Sequence, residues 1–493
     1  MAETAEEEIK SLRLREGHAQ EWRLGLEMTE NSREVVLDIL LTMEKEGEYS
    51  NQLIRATLDK LDYLPVQEKA FIKRVAEGTI ERQIELDTYL DACSKVPVKK
   101  MKPFIRCLLR MSVYQLLYMD SVPDSAVCNE ACKLAVKRKF QNLRGFVNGV
   151  LRNIARNKEN LVSPEEMGLS GQYSMPEWIV ELWSREYGKE ITETILKGIE
   201  GIHPVSLRFL GRTEEKKRKE LLRAFTQKGV VWEESPYLPD IYLLKKSAGI
   251  KNLPGYEEGA FTVQDASSAL AVRAAQIKPG DFCIDACAAP GGKTILAAER
   301  AGRVLSRDVS PEKTEKIQEN IERLQLSNVE VQVWDARVTD ETMSGKADVL
   351  FLDVPCSGLG VMGKKRDIKY HVTPEGLAEL EDLQKQIVDS CRDYLKPGGT
   401  LLYSTCTIDR QENEEMVKSI SRELGFKPVT LEKSLPEKVW EEKQHIRQLL
   451  TECGLEKRAG LTEEEENACI QILPGFFEMD GFFIARFQKE TVE

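Results

Sequence analysis

The chain has 493 residues, 41% of them hydrophobic and 31% charged, with a formal net charge of −12. That is the composition of an ordinary globular protein, and the length allows roughly two to four domains. The 11 cysteines are an odd, irregularly spaced set, which excludes a secreted disulfide framework.

The start MAETAEEEIK has neither a basic nor an apolar region, and no run reaches membrane-spanning length. A cytoplasmic protein with no membrane partner is therefore expected. The closest cysteine pairs, Cys128/Cys132 and Cys283/Cys287, have no His beside them, so no metal site is expected. An acidic chain argues against nucleic-acid binding only if its charge is evenly spread.

Residues 1–30 form an acidic extension, read as frayed helix or disorder. From Asn31 the apolar residues Val35, Val36, Ile39 and Leu40 recur at helical spacing behind a capping Asn-Ser. Further helical stretches follow at 52–61, 67–89, 102–119, 125–139 and 143–155, with no alternating strand pattern between them. Residues 31–158 are therefore expected to be an all-helical domain.

The charge is not evenly spread. Between Ala92 and Lys158 fourteen Lys or Arg stand against three acids, and no acid occurs from Ala131 to Lys158. Such segregation is the footprint of a polyanion-binding surface, and Lys133, Lys137, Arg138, Lys139, Arg144 and Arg152 are the expected RNA contacts. A solvated helix face would mix Glu with Lys at i,i+4 spacing.

Residues 159–171 read as a linker, and 172–255 as a small α+β module. Its expected elements are a helix from Pro176, strands at 203–210, 230–232 and 241–244, and a charged helix at 214–226. The sequence leaves its topology open.

From 256 to 493 strands and helices alternate, as in a doubly wound α/β sheet. The strands are expected at 282–285, 303–307, 329–334, 349–353 and 400–404, with an antiparallel closing pair at 470–473 and 481–487. Residues 435–467 read as an acidic helical insertion.

Residues past the carboxyl ends of such strands line the ligand crevice. The first strand ends in Asp285-Ala-Cys-Ala-Ala-Pro-Gly-Gly-Lys-Thr294, where small residues let the backbone approach a ligand at a helix N-terminus. It is not a Walker A loop, because Cys287 stands where the first Gly belongs, and there is no Gly-x-Gly-x-x-Gly. The second strand ends in Asp308, placed to accept from ribose hydroxyls, and the third is followed by Asp335, placed to accept from an adenine amino group. One acid after each of three strands suits S-adenosylmethionine. The fourth and fifth strands run into thiols, Cys356 and Cys406, with Asp353 beside the first. Two thiols and a carboxylate suggest a thiolate enzyme acting on an electrophilic ring. Two ordinary buried cysteines are the competing reading.

Three of these stretches, Asp285–Thr294, Asp353-Val-Pro-Cys-Ser-Gly358 and Tyr403-Ser-Thr-Cys-Thr-Ile408, resemble signature motifs of the RNA cytosine-C5 methyltransferases. The basic helical domain, with Arg144-Gly-Phe-Val-Asn-Gly-Val-Leu-Arg-Asn153, resembles the NusB-like domain fused to one branch of them, the RsmB (Fmu/Sun) family, which methylates 16S rRNA. The likeness covers about residues 31–487. Where that family generally reads Pro-Asp-Ile-Lys, this chain has Arg366-Asp-Ile-Lys369.

The resemblance implies a NusB-like domain, an RRM-like module and a Rossmann-like catalytic domain using S-adenosylmethionine, with 16S rRNA as partner and a monomeric protein. It makes Cys406 the nucleophile that adds to C6 of cytosine and assigns Cys356 to release of the adduct. Asp353 would hold the base edge and border the cofactor. The Cys287, Ala288, Ala289, Pro290, Gly291 and Gly292 backbone, with Lys293, would hold the methionine end. Methylation of tRNA or of another rRNA site is the alternative within the enzyme class. A NusB-like assembly factor without catalysis is the alternative outside it.

Overall fold

The computed structural model describes residues 31–46, 50–201, 203–246, 249–455 and 460–490, so the acidic extension and residues 456–459 of the insertion lie outside the described residues. The chain divides into two compact units, with the boundary between Ser174 and Met175.

The first unit is helical. Its principal helices are Ser32–Glu46, Ser50–Lys60, Val66–Glu81, Gln83–Cys93, Pro103–Tyr118, Asp124–Lys137 and Arg144–Arg156. Asn31 Oδ1 accepts the Arg33 N–H at 3.0 Å, which starts the first of them as its Asn-Ser sequence suggests. The stretch expected as one helix over 67–89 is two. It breaks at Arg82, which pairs with the buried Glu85 at 2.9 Å and stacks on the Tyr118 ring. Val36, Leu37, Val75, Leu86, Leu108, Val113, Val147 and Leu151 fill the space between the helices. The expected linker is folded: Ser163 and Glu166 form a capping box on the turn Pro164–Met167, and a short helix Gly168–Gln172 follows. Ser174 Oγ then accepts the Ile84 and Glu85 N–H groups, so this stretch belongs to the first unit.

The second unit begins with helices Glu177–Tyr187 and Lys189–Glu200 and a four-stranded antiparallel sheet. Its strands are β1 (Val205–Phe209), β2 (Val231–Glu234), β3 (Ile241–Lys246) and β4 (Phe261–Val263), in the order β2-β3-β1-β4. The sheet therefore runs past the expected boundary at 255. Strand, helix (Glu215–Gln227), strand, strand and strand is the order of a βαββαβ sandwich, with the turn Ile250–Asn252 in place of a second helix. One face of the sheet packs Leu207, Phe209, Tyr242 and Leu244 onto Leu221, Leu222 and Phe225. On the other, the buried Arg208 donates to Gln264 Oε1 at 2.6 Å and pairs with Glu299 at 2.6 Å. This fastens the small sheet to the end of the helix Gly292–Ala298, which Glu299 caps.

The larger sheet has eight strands: β5 (Phe282–Asp285), β6 (Arg303–Asp308), β7 (Val329–Val333), β8 (Ala347–Asp353), β9 (Leu395–Thr405), β10 (Lys427–Pro428), β11 (Cys469–Ile472) and β12 (Phe482–Gln488). The order is β10-β12-β9-β8-β5-β6-β7, with β11 also paired to β12. The run from β9 to β7 is parallel, and β12, β10 and β11 add antiparallel strands at one edge. Ile284, Leu305, Leu350, Leu352, Leu401, Tyr403, Phe483 and Ala485 form its core, which is why these strands read as nearly continuous apolar runs. The insertion supplies helices Glu437–Glu452 and Glu463–Asn467, the second capped by a Thr462/Glu465 box and tied to Arg422 at 2.5 Å. Among the described residues no helix is long and apolar enough to cross a membrane.

Candidate active site

The parallel register brings the carboxyl ends of β5, β6, β8 and β9 side by side. Asp353 at the end of β8 stands opposite Ser404 of β9, and the loops leaving these two strands each carry a thiol. Cys356 Sγ lies 3.2 Å from Cys406 Sγ, and it also accepts the Cys406 N–H at 3.3 Å. Both cysteines are free and half-buried. The hydrogen bond from Cys356 lowers the Cys406 pKa, with Lys365 and Lys293 assisting against burial and the Asp353 charge. The same hydrogen bond, burial and the Glu412 carboxylate push Cys356 well up. The two shifts run in opposite directions, so Cys406 is the more readily ionised thiol of the pair. Sequence reading found no His to activate the thiol; the group in contact with it is the second thiol, with Lys293 and Lys365 acting on its charge.

Glycine makes this approach possible. Gly360 donates its N–H to the Cys406 carbonyl at 3.0 Å, and Gly481 donates to the Gly360 carbonyl at 3.0 Å. A Cβ at Gly360 would lie 2.3 Å from the Gly481 oxygen, so only glycine lets the three segments close up.

Asp353 links the thiols to the cofactor loop. Its Oδ1 accepts from Ser404 Oγ at 2.8 Å, and its Oδ2 is 2.7 Å from Lys293 Nζ. The Lys293 ammonium also lies 4.9 Å from the centre of the Phe482 ring. The loop itself is pinned at both ends. Ala286 and Ala288 donate to the Phe351 and Arg307 carbonyls, and Ala289 N–H donates to Asp308 Oδ2 at 3.2 Å. Gly291 takes φ +96° as the N-cap of the helix Gly292–Ala298, a conformation that a side chain resists. Gln264, held by Arg208, donates to the Gly292 carbonyl at 3.0 Å, so the small sheet supports this turn.

The acids differ in their surroundings. Asp308 is buried and accepts from the loop, whereas Asp335 is half-buried and held by its neighbour Arg337 at 2.7 Å. The third carboxylate is Asp285, which accepts from Thr294 Oγ1 at 2.7 Å while its buried Oδ1 makes no hydrogen bond. Burial raises Asp285 to about 7. An orphaned acceptor under a small-residue loop, with Lys293 beside it, fits a ligand carrying an amino and a carboxylate group.

A polar scaffold behind the thiols was not read from the sequence. Glu412 accepts the Ser357 N–H at 2.9 Å, the Ser357 hydroxyl, and the Gln384 amide at 2.8 Å. Gln384 falls on the same helix stripe as Ile387, Val388 and Cys391, all buried. A polar residue on an apolar stripe was the available signal.

The basic residues of the first unit divide into two groups. Lys137 and Arg138 pair with Glu34 at 2.6 and 3.0 Å, Arg138 also reaches Asp38 at 2.7 Å, and Lys133 pairs with Glu130 at 2.7 Å. Lys139, Arg144 and Arg152 are exposed, and none makes an ion pair among the described residues.

Residues 272–488 match the model of the family described as 16S rRNA methyltransferase RsmB/F, and residues 30–156 match the NusB family. A probable ribosomal RNA small subunit methyltransferase B of Bacillus subtilis is 34% identical over 469 residues, covering 93% of this chain and 98% of that protein. This chain belongs to the RsmB/F family of rRNA small subunit methyltransferases. The ribosomal RNA small subunit methyltransferase B of Cronobacter sakazakii is 30% identical, covering 86% of this chain and 91% of that one. The crystal structure of PH0851 superposes with a TM-score of 0.73 at 23% identity, covering 94% of this chain and all of that one, which shows the shared fold. As an RsmB/F enzyme the chain uses S-adenosylmethionine, and the loop Cys287–Lys293 with Asp285 and Asp308 fits that group.

Proposed function

We propose that this RsmB/F enzyme methylates C5 of a cytosine in 16S rRNA through a covalent bond between Cys406 and C6 of the base. The observation that carries the reading is the short contact between two free thiols at the ends of adjacent strands, of which Cys406 is shifted toward ionisation and Cys356 away from it.

C5 of an aromatic cytosine is a poor nucleophile. Addition of the Cys406 thiolate at C6 breaks the aromaticity and makes C5 enamine-like. Bound S-adenosylmethionine supplies an electrophilic methyl group to that carbon. Asp353, fixed by Ser404 and Lys293, faces the base edge and stabilises the adduct. After H5 is lost as a proton to solvent water, the C6–S bond breaks and its electron pair returns to Cys406 as the thiolate, with Cys356 assisting this release through its contact with Cys406. Lys293 and the Cys287–Gly292 backbone hold the methionine end, Asp308 the ribose and Asp335 the adenine. The target base must leave its stack to reach the thiol.

Lys139, Arg144 and Arg152 are the side chains best placed to meet phosphates, because no acid neutralises them. The small-subunit methyltransferase names of the relatives support a 16S target over tRNA. Bisulfite mapping of rRNA from cells with and without the gene tests this. One 16S cytosine that loses its methyl group is expected, and a loss confined to tRNA would contradict it.

A further inference from the structure

The thiol pair is held from behind by a group with no part in binding substrate or cofactor. Glu412 is fully buried, 55 residues along the chain from Ser357. Its carboxylate accepts two hydrogen bonds from Ser357, the residue after Cys356, and one from Gln384, whose amide also donates to the Pro355 carbonyl at 3.0 Å. Ser357 Oγ is in turn 2.7 Å from Thr407 Oγ1, the residue after Cys406. Glu412 is fixed from its own side as well: its N–H donates to Asp409 Oδ2 at 3.3 Å and its carbonyl accepts from Tyr403 OH at 2.7 Å. Both loops are thereby tied to one carboxylate, each through the residue that follows its thiol.

We propose that Glu412 is a positioning residue that clamps the Cys356 loop against the Cys406 loop and, by its buried charge, keeps the shared proton on Cys356. The carboxylate sits behind Cys356, while the cations Lys293 and Lys365 act on Cys406, so the two sulfurs stand in opposite fields. An anion beside a thiol disfavours a second anion there, which leaves the negative charge to Cys406. Burial raises the Glu412 pKa, and the hydrogen bonds from Ser357 and Gln384 oppose that rise and favour its carboxylate form. The other titratable groups facing Glu412 are Asp409 and Glu381, both acids whose pKa is raised mainly by burial, and Cys356 itself. Tyr403, Thr407, Ser357 and Gln384 complete its surroundings. The proposal rests on Cys406 being the nucleophile, but its deciding readout is taken on the thiols directly, without RNA.

The experiment is the pH profile of Cys406 and Cys356 alkylation by iodoacetamide, followed by peptide mass spectrometry on the full chain, for wild type and Glu412→Gln. The neutral amide removes the anion that disfavours a thiolate on Cys356, so the ratio of Cys406 to Cys356 alkylation near neutral pH should fall about tenfold. With RNA, kcat should fall while KM for RNA holds, and Glu412→Asp, which keeps the charge, should recover part of both. A lowered melting temperature with an unmoved alkylation ratio would overturn the proposal and leave Glu412 a fold-stabilising residue only. If Glu412→Gln does not fold, Ser357→Ala decides. It removes the hydroxyl that joins Glu412 to Thr407, and an unmoved ratio there overturns the clamp as well. Should Cys406 prove not to be the nucleophile by activity, the alkylation result still stands or falls by itself.

Discussion

Cys356 and Cys406 lie 50 residues apart in the chain and 3.2 Å apart in space, with their sulfurs in hydrogen-bond contact. The pair is unequal: Cys406, just past the end of β9, is shifted toward ionisation, and Cys356, in the loop after β8, is shifted away from it. That inequality makes different demands on the two sulfurs, and each can be measured.

Of the 11 cysteines, Cys406 should react first with iodoacetamide near neutral pH. Its folded pKa is lowered, so thiolate is already present below the range where an ordinary thiol ionises. Cys356, held protonated, and the buried Cys283 and Cys391 should resist. Site-resolved alkylation between pH 6 and 9 checks the order. Equal rates at Cys356 and Cys406 would mean that the charge is shared.

The cofactor-site acids should separate by burial. Asp308→Ala and Asp335→Ala should each weaken S-adenosylmethionine binding by about 1–3 kcal/mol, the cost of a polar partner left unpaired. Only Asp308→Ala should also lower the melting temperature, since Asp308 supports the Ala289 N–H while Asp335 is held by the adjacent Arg337. Titration calorimetry and thermal melts read the two effects separately. Unchanged affinity in both variants would remove these carboxylates from the cofactor site.

The basic surface makes a similar division. Replacing Lys139, Arg144 and Arg152 with Gln should flatten the salt dependence of RNA binding without changing stability. Each lost phosphate contact lowers the log–log slope by about 0.9 on a duplex, so three change it by roughly 2–3. Arg138→Gln should instead lower the melting temperature, because it strips a partner from Glu34, which is only 2% exposed. A salt slope that moves with Arg138 and not with the other three would reverse the assignment.

The strands that carry the site were legible in the sequence because each has an apolar centre and ends in a polar residue: Asp285, Asp308, Asp353 and Thr405. The helical first unit was legible from its period. The two-residue strand β10 and the three-residue β4 were not, since neither is long enough to show alternation. The partners of Lys137 and Arg138 lie about a hundred residues away at Glu34 and Asp38, and an acid-free stretch of sequence cannot reveal acids brought in by the fold. The same holds for Glu412. A Glu in a polar loop looks solvated until the fold closes Ser357 and Gln384 around it.

The covalent mechanism is tested most directly by trapping. Purified Cys356→Ala and Cys406→Ala are each incubated with 16S rRNA and S-adenosylmethionine and resolved by denaturing electrophoresis. Cys356→Ala can still add to C6 and let C5 of the base take the methyl group, but it releases slowly, so a protein–RNA band should persist. Cys406→Ala lacks the attacking sulfur and should give no band and less than about a hundredth of wild-type turnover, as expected of a deleted nucleophile. A persistent adduct from Cys406→Ala and none from Cys356→Ala would contradict the assignment and make Cys356 the nucleophile.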